Sequence, residues 1–309
     1  MTTALFTHFA CLDHVTPDGH PESPERLRAV LEALKDPAFD TLVRGECSRA
    51  EGETLALVHP RHFIKHVLDN VPLRGLKSID GDTTLSPGSG EAALRAAGGA
   101  ISAVDAVMTG EAKTAFAAVR PPGHHAEPST AMGFCVFNNV AVAAHHARAA
   151  HGLRRIAVVD FDVHHGNGTQ AAFERDADLF FGSTHQWPLY PGTGLPQERG
   201  IAGNIVNVPL PPRTGSDAFR DAFESGILPA LDSFGPELIL ISAGFDAHAA
   251  DPLADLRLLE ADFAWATSRL CEIAASHCGG RVVSTLEGGY DLEALAASAA
   301  AHVKALMAA

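Results

Sequence analysis

Ile156-Ala157-Val158-Val159-Asp160-Phe161-Asp162-Val163-His164-His165-Gly166-Asn167-Gly168 decides the fold. The apolar run at its start reads as a strand buried on both faces, which is the habit of parallel sheets. The run ends in two carboxylates and two imidazoles. Burying such groups unpaired is costly, so a strand end that carries them requires a partner. Asp162 and His164 are two positions apart, and in an extended chain both side chains point to one side. A carboxylate and an imidazole converging there make half of a zinc site.

Strand-like runs recur on either side of this one. They are Ala115–Val119, Ile156–Phe161, Leu179–Ser183, Ile205–Val208, Leu238–Ser242 and Val282–Leu286. Between them lie Ala-rich stretches that read as helices: Pro24–Ala33, Gly90–Met108, Asn138–Ala150, Ser216–Asp232, Ala261–His277 and Leu292–Ala308. Ser23 before Pro24 is a good helix start. Alternation of this kind predicts an α/β fold with a mainly parallel sheet covered on both faces. No linker, repeat or low-complexity tract interrupts it, so residues 1–309 are expected to form one domain.

Composition narrows the function classes. The chain has 309 residues, 46% of them apolar, which is enough for a large core. Its net charge of −14 argues against nonspecific nucleic-acid binding. No apolar run reaches the ~18 residues of a membrane span. Met1-Thr2-Thr3-Ala4-Leu5-Phe6 has no basic start and no long apolar stretch, so a secretory signal is not expected. Five scattered cysteines without a Cys-x-x-Cys pair suit a reducing cytoplasm. Homo-oligomer formation is left open.

Four strands run directly into polar, Gly-rich loops. Val119 leads to Arg120-Pro-Pro-Gly-His124-His125, and Phe161 to Asp162-Val-His164-His165. Ser242 leads to Ala243-Gly-Phe-Asp246, and Leu286 to Glu287-Gly-Gly-Tyr290. Ligands of open α/β sheets bind outside the carboxyl ends of the strands, so these loops are expected to share one site. Asp162, His164 and Asp246 would bind a metal, and three protein ligands leave the open position of a catalytic zinc. His124 and His125, stiffened by Pro-Pro-Gly, suit general acid–base work. Tyr290 could donate a hydrogen bond to an oxyanion.

These motifs resemble the zinc-dependent histone deacetylase family. The segments that carry the likeness are Arg120-Pro-Pro-Gly-His-His-Ala, Gly133-Phe-Cys-Val-Phe-Asn-Asn, Asp160-Phe-Asp-Val-His-His-Gly-Asn-Gly-Thr, Ser242-Ala-Gly-Phe-Asp-Ala-His and Leu286-Glu-Gly-Gly-Tyr. His20-Pro-Glu-Ser-Pro-Glu-Arg-Leu and Ser86-Pro-Gly-Ser-Gly-Glu-Ala-Ala join them. The likeness is greatest to class II-like members, with their bacterial deacetylase-like and acetylpolyamine amidohydrolase relatives, and runs from about residue 14 to 292. It implies an arginase–deacetylase fold with a central eight-stranded sheet, and a hydrolase of linear amides. It also implies one Zn2+ on Asp162, His164 and Asp246. His125 becomes the proton shuttle beside His124, and Asp160 pairs with His124 from behind. Gly133 and Phe134 line an acyl channel with Arg26 near its inner end. A structural K+ is implied on main-chain oxygens of Asp160, Asp162, His164, Ser183 and Thr184.

Three positions refine that reading. Asn167 stands where class I members carry an aspartate, and a neutral partner cannot raise the imidazole pKa as a carboxylate would. Leu253 occupies a channel-rim position that is glutamate in a polyamine-selective relative. It turns the expected substrate from acetylpolyamine toward acyl-lysine or another N-acyl amine. Tyr190 falls where many relatives have a channel phenylalanine, and its hydroxyl alters the polarity of the rim. His165 is expected to be structural.

Three alternatives remain. One is deacetylation of acetylpolyamines or other small N-acetyl amines. Another is a catalytically weak protein that binds acylated ligands. The third, a two-metal ureohydrolase on the same fold, needs further bridging carboxylates, and Gly166 and His248 stand where they would be.

Overall fold

The computed structural model describes residues Thr2–Ala309. Its strands are β1 (Thr3–Thr7), β2 (Val43–Glu46), β3 (Lys77–Ser78), β4 (Thr84–Leu85), β5 (Thr114–Ala117), β6 (Ile156–Asp160), β7 (Leu179–Gln186), β8 (Ile205–Leu210), β9 (Leu238–Ala243) and β10 (Val282–Leu286). Eight of them form one sheet in the order β2-β1-β5-β10-β9-β6-β7-β8. Every neighbouring pair in it is parallel. β3 and β4 form a separate antiparallel pair. The helices are α1 (Pro24–Ala33), α2 (Gly52–Leu55), α3 (Arg61–Asp69), α4 (Ser89–Met108), α5 (Asn139–His151), α6 (Asn167–Phe173), α7 (Ser216–Ala222), α8 (Leu228–Phe234), α9 (Glu260–His277) and α10 (Leu292–Ala308).

The two-residue period of a strand divides its side chains between the two faces. Ala157 and Val159 of β6 join a core with α1, α9 and α10. Ile156 and Val158 join another with α4 and α5. A third cluster packs α3 against the outer side of α4. Each buried Val or Ile side chain contributes ~1.5–3 kcal/mol, so the central strands are firm mounts for the loops they carry. All eight strands being parallel, their carboxyl ends lie along one edge, and the four polar loops emerge together.

The six expected strands are all present, with ends displaced by a few residues; Val119 and Phe161 already belong to loops. β1, β2, β3 and β4 fall outside the expected strands. β2 is an edge strand, Val-Arg-Gly-Glu, with three exposed positions and one half-buried, so it lacks an apolar signature. The expected helix Ser216–Asp232 is broken by a π-turn at Phe223–Ile227. Pro229, at the start of α8, has no N–H to continue the ladder. Ser23 occupies the N-cap of α1, but its side chain makes no capping hydrogen bond. Among the described residues no helix is long and apolar enough to cross a membrane.

Candidate active site

The opening segment turns out of β6 through two carboxylate-stabilised steps. Asp160 Oδ1 accepts the Asp162 N–H at 3.0 Å, and Asp162 Oδ1 accepts the His164 N–H at 2.9 Å. From the loop that follows the neighbouring strand β9, Asp246 Oδ1 accepts the Val163 N–H at 2.9 Å. The Gly288 N–H donates to Asp162 Oδ2 at 2.8 Å. A Cβ at Gly288 would strike both Asp162 and Asp246, so only glycine lets the backbone come this close.

These contacts aim one nitrogen and two carboxylates at a single point. His164 Nδ1 lies 3.0 Å from Asp246 Oδ2 and 3.2 Å from Asp162 Oδ1. The three candidate ligand atoms all fall within 4.8 Å of one another. Burial and the charge of Asp162 push Asp246 up to about 7. Hydrogen bonds to both carboxylates, outweighing burial, hold His164 at about 10. Two buried carboxylates that need a proton to coexist, with an imidazole between them, are a donor set that fits a dication. A metal would neutralise the pair and displace the imidazole proton.

The tandem histidines sit beside this point with different partners. His124 Nδ1 faces Asp160 Oδ2 at 2.9 Å. Burial works against a charged His124, yet the Asp162 and Asp160 carboxylates outweigh it and hold the imidazole well above its ordinary range. His125 Nδ1 meets Asn167 Oδ1 at 2.8 Å. Asn167 Nδ2 donates to Glu127 Oε1 at 2.9 Å, and this fixes which way the amide faces. Oδ1 must therefore accept, so the His125 proton is on Nδ1 and the Nε2 lone pair is free. Burial and the neighbouring His124 and His164 hold His125 well below the ordinary imidazole range. The two rings are 4.1 Å apart between centroids.

A cleft of about 190 Å³ opens over these groups. His125, His164 and Tyr290 line it together with Gly133, Phe134, Tyr190 and Leu253. Phe134 adopts a φ of 66°, a strained conformation for a residue with a side chain. The Gly133 and Phe134 N–H groups donate to Asp82 Oδ1 and Thr83 Oγ1, which hold that turn in place. Tyr190 presents its ring edge to His125, with centroids 5.1 Å apart. Tyr290 packs against Phe134 at 5.9 Å, and burial raises its phenol well above the usual range.

Arg26 does not line the cleft. It is fully buried behind Tyr290, with its guanidinium 4.8 Å from the ring centroid. It donates to the Glu287 and Gly289 carbonyls, so it supports the loop that carries Tyr290. Ser183 lies opposite Asp160 in the β6–β7 register, which brings it and Thr184 to the strand end of the implied cation site. His165 is tied to Thr193 and Gln170 and faces away from the cleft chemistry.

Other residues at the site had no assigned role in the sequence reading. Asp82 and Leu189 also line the cleft. Asp82 sits in an Asp-Gly-Asp turn between β3 and β4, a visible hairpin signal with an acid at its tip. Glu287 Oε2 accepts the Gly123 and His124 N–H groups at 2.7 and 3.1 Å, coupling the tandem-histidine loop to the tyrosine loop. Glu22 is fully buried and binds both Arg120 and Arg26. Burial would raise its carboxyl, but chiefly Arg120 holds it down at about 2.

Residues 20–306 match the histone deacetylase domain. The chain is 44% identical to the histone deacetylase-like amidohydrolase of Pseudomonas aeruginosa, over 88% of this chain and 73% of that one. It is 42% identical to the chloroplastic histone deacetylase 10 of Oryza sativa subsp. japonica, over 94% of this chain and 70% of the rice protein. A probable deacetylase of Archaeoglobus fulgidus is 40% identical, over 95% of this chain and 82% of its own. The crystal structure of the HDA15 HD domain superposes with a TM-score of 0.94 at 36% identity, covering 99% of this chain and 88% of that domain. With the eight-stranded sheet and this sequence identity, the chain belongs to the histone deacetylase family and is a hydrolase acting on amides.

Proposed function

We propose that the protein is a zinc-dependent deacylase that frees the amine of an acylated lysine or similar N-acyl amine. The observation that carries this reading is one cleft lined by His125 with its free Nε2, by Tyr290 and by His164, which belongs to the Asp162–His164–Asp246 donor set. Zn2+ held by those three residues would polarise the acyl carbonyl and make water more acidic.

The chain's own groups supply the rest. His125 Nε2 accepts a proton from water as the water oxygen adds to the carbonyl carbon. His124, kept charged by the Asp160 carboxylate at its Nδ1, balances the negative charge that develops. Tyr290 keeps its proton because its phenol is raised, and it donates a hydrogen bond to the oxyanion. The C–N bond then breaks, the amine leaves with the proton carried by the histidine pair, and a carboxylic acid remains. Gly133, Phe134 and Tyr190 flank the acyl-amine stem. A K+ near Asp160, Asp162, His164, Ser183 and Thr184 would stiffen the strand ends.

Leu253 gives the rim an apolar position, which favours acyl-lysine. Asp82 supports a second reading, because its carboxylate at the cleft could hold the distant cation of an acetylpolyamine. The five buried free cysteines suit a reducing compartment, and we assign the protein to the cytoplasm. The deciding experiment is a kinetic panel on zinc-loaded protein: acetyl-lysine peptides, longer acyl-lysines, acetylputrescine, acetylcadaverine and small N-acetyl amines. Preference for acyl-lysine supports the proposal. Preference for acetylputrescine or acetylcadaverine replaces it with the polyamine reading, and no cleavage of any amide removes both.

A further inference from the structure

A second group of metal-ligating side chains lies away from the cleft. Asp105 sits near the C-terminal end of α4, while His146 and His151 lie on α5. Asp105 Oδ1 is 2.7 Å from His146 Nε2 and also 2.7 Å from His151 Nε2. The imidazole centroids are 5.8 Å apart, with planes at 82°. One ligand atom from each residue falls within 4.8 Å of the other two. The histidine side chains are 17% and 20% exposed and the aspartate 47%, so ions can reach the cluster.

We infer that Asp105, His146 and His151 form a second transition-metal site, a clasp between α4 and α5. Two imidazoles aimed at one carboxylate oxygen leave that oxygen shared by both rings. A cation seated among the three takes the lone pair of each nitrogen and of the carboxylate, so the same side chains become ligands with little rearrangement. Two nitrogens and one oxygen suit Zn2+, Co2+, Ni2+ or Cu2+ better than Mg2+ or Ca2+, which prefer all-oxygen shells. Water would complete the coordination. Neither Nδ1 has a hydrogen-bond partner among the described residues, so ligand orientation is only partly fixed. That predicts micromolar affinity, well short of a closed structural zinc site.

The position separates this site from the catalytic cleft. α5 starts next to the tandem-histidine loop and ends at His151, just before β6 begins. Its length of ~20 Å puts the cluster at the amino-terminal rim of the sheet, on the side opposite the cleft. The inference therefore stands whether or not the catalytic reading does.

The test is metal stoichiometry and calorimetric titration with Zn2+, comparing the whole protein with His146→Ala/His151→Ala and with Asp105→Asn. The expected result is one fewer equivalent bound by the double variant, weakened uptake in Asp105→Asn, and unchanged amide hydrolysis in both. Zinc-soaked crystals of the unaltered protein should show an anomalous peak between α4 and α5. Equal zinc stoichiometry in all three proteins, or no peak at that place, would overturn the inference. If the double variant fails to fold, Asp105→Asn and the crystal soak decide.

Discussion

Replacing Asn167 by aspartate should move the acid limb of the pH–rate profile upward. In the native protein His125 Nδ1 donates to a neutral amide oxygen at 2.8 Å, and burial, His124 and His164 hold the imidazole down. Aspartate keeps the acceptor but adds a full negative charge beside it. With charge centres ~4 Å apart and an effective dielectric constant of ~20, the new attraction is ~4 kcal/mol, or ~3 pH units. Glu127, which now accepts from Asn167 Nδ2 at 2.9 Å, would repel the new carboxylate and take back part of this. The net rise should be ~1–2 units, within the range for a carboxylate placed against an ionisable group. The assay is kcat/KM against pH from about 5 to about 9 on a fluorogenic acyl-lysine substrate, with zinc content checked at each end. Adding Glu127→Gln should shift the limb further. Asn167→Ala should lower the rate with little movement of the limb, since it removes the acceptor that fixes the tautomer and adds no charge. An Asn167→Asp profile that overlays the native one at full zinc occupancy would refute the idea that this residue sets the charge of His125.

Tyr290→Phe should reduce kcat by ~10²–10³ with KM little changed, the loss typical of an oxyanion donor, and undiminished turnover would remove Tyr290 from the mechanism. Asp162→Ala or Asp246→Ala should lose the catalytic metal, and elemental analysis showing no loss of zinc would count against them as ligands. Glu22→Ala leaves Arg120 and Arg26 buried without their carboxylate and should cost ~3–5 kcal/mol in urea unfolding; a change below ~1 kcal/mol would contradict the buried pairing. His302 is fully buried, bonded to Thr267 and Ser284, and burial holds it down at about 3. The unfolded chain takes up that proton more readily, so this contribution is whole above about pH 6.5 and is lost progressively as pH falls toward about 3. By pH ~4 the loss is ~3 kcal/mol, and His302→Gln, which can still bond both hydroxyls, should flatten this slope in denaturant titrations.

The strand-to-loop junctions were legible because buried parallel strands are continuous apolar runs, and the chemistry starts where the run stops. Asp162, His164 and Asp246 group together on that basis from the sequence alone. β2 could not be read in the same way, because an exposed edge strand is under no pressure to be apolar. The exact place of Arg26 is hidden for a different reason: a motif puts a residue near the inner end of a site without saying which side of the tyrosine it occupies. The Asn167–Glu127 contact, which sets the His125 tautomer, joins side chains from separate loops. Glu22 lies far from Arg120 in sequence, and only the folded chain brings them together. His302 lies in an alanine-rich helix and carries no local sign that it is buried.

The Glu22 hub also has a consequence for how the protein comes to life. Arg26 grips carbonyls of Glu287 and Gly289, and Glu22 grips Arg26 and Arg120. An early helix is thus bonded to the last catalytic loop of the chain. During synthesis Arg120 and the Glu287–Gly289 loop are still to be made when Glu22 and Arg26 leave the ribosome, and such distant pairings form slowly. Nascent chains halted before Tyr290 should be inert, and activity should rise late in refolding, after most secondary structure has formed. Joining the two ends of the chain and opening it elsewhere would shorten that wait without altering a single group in the cleft.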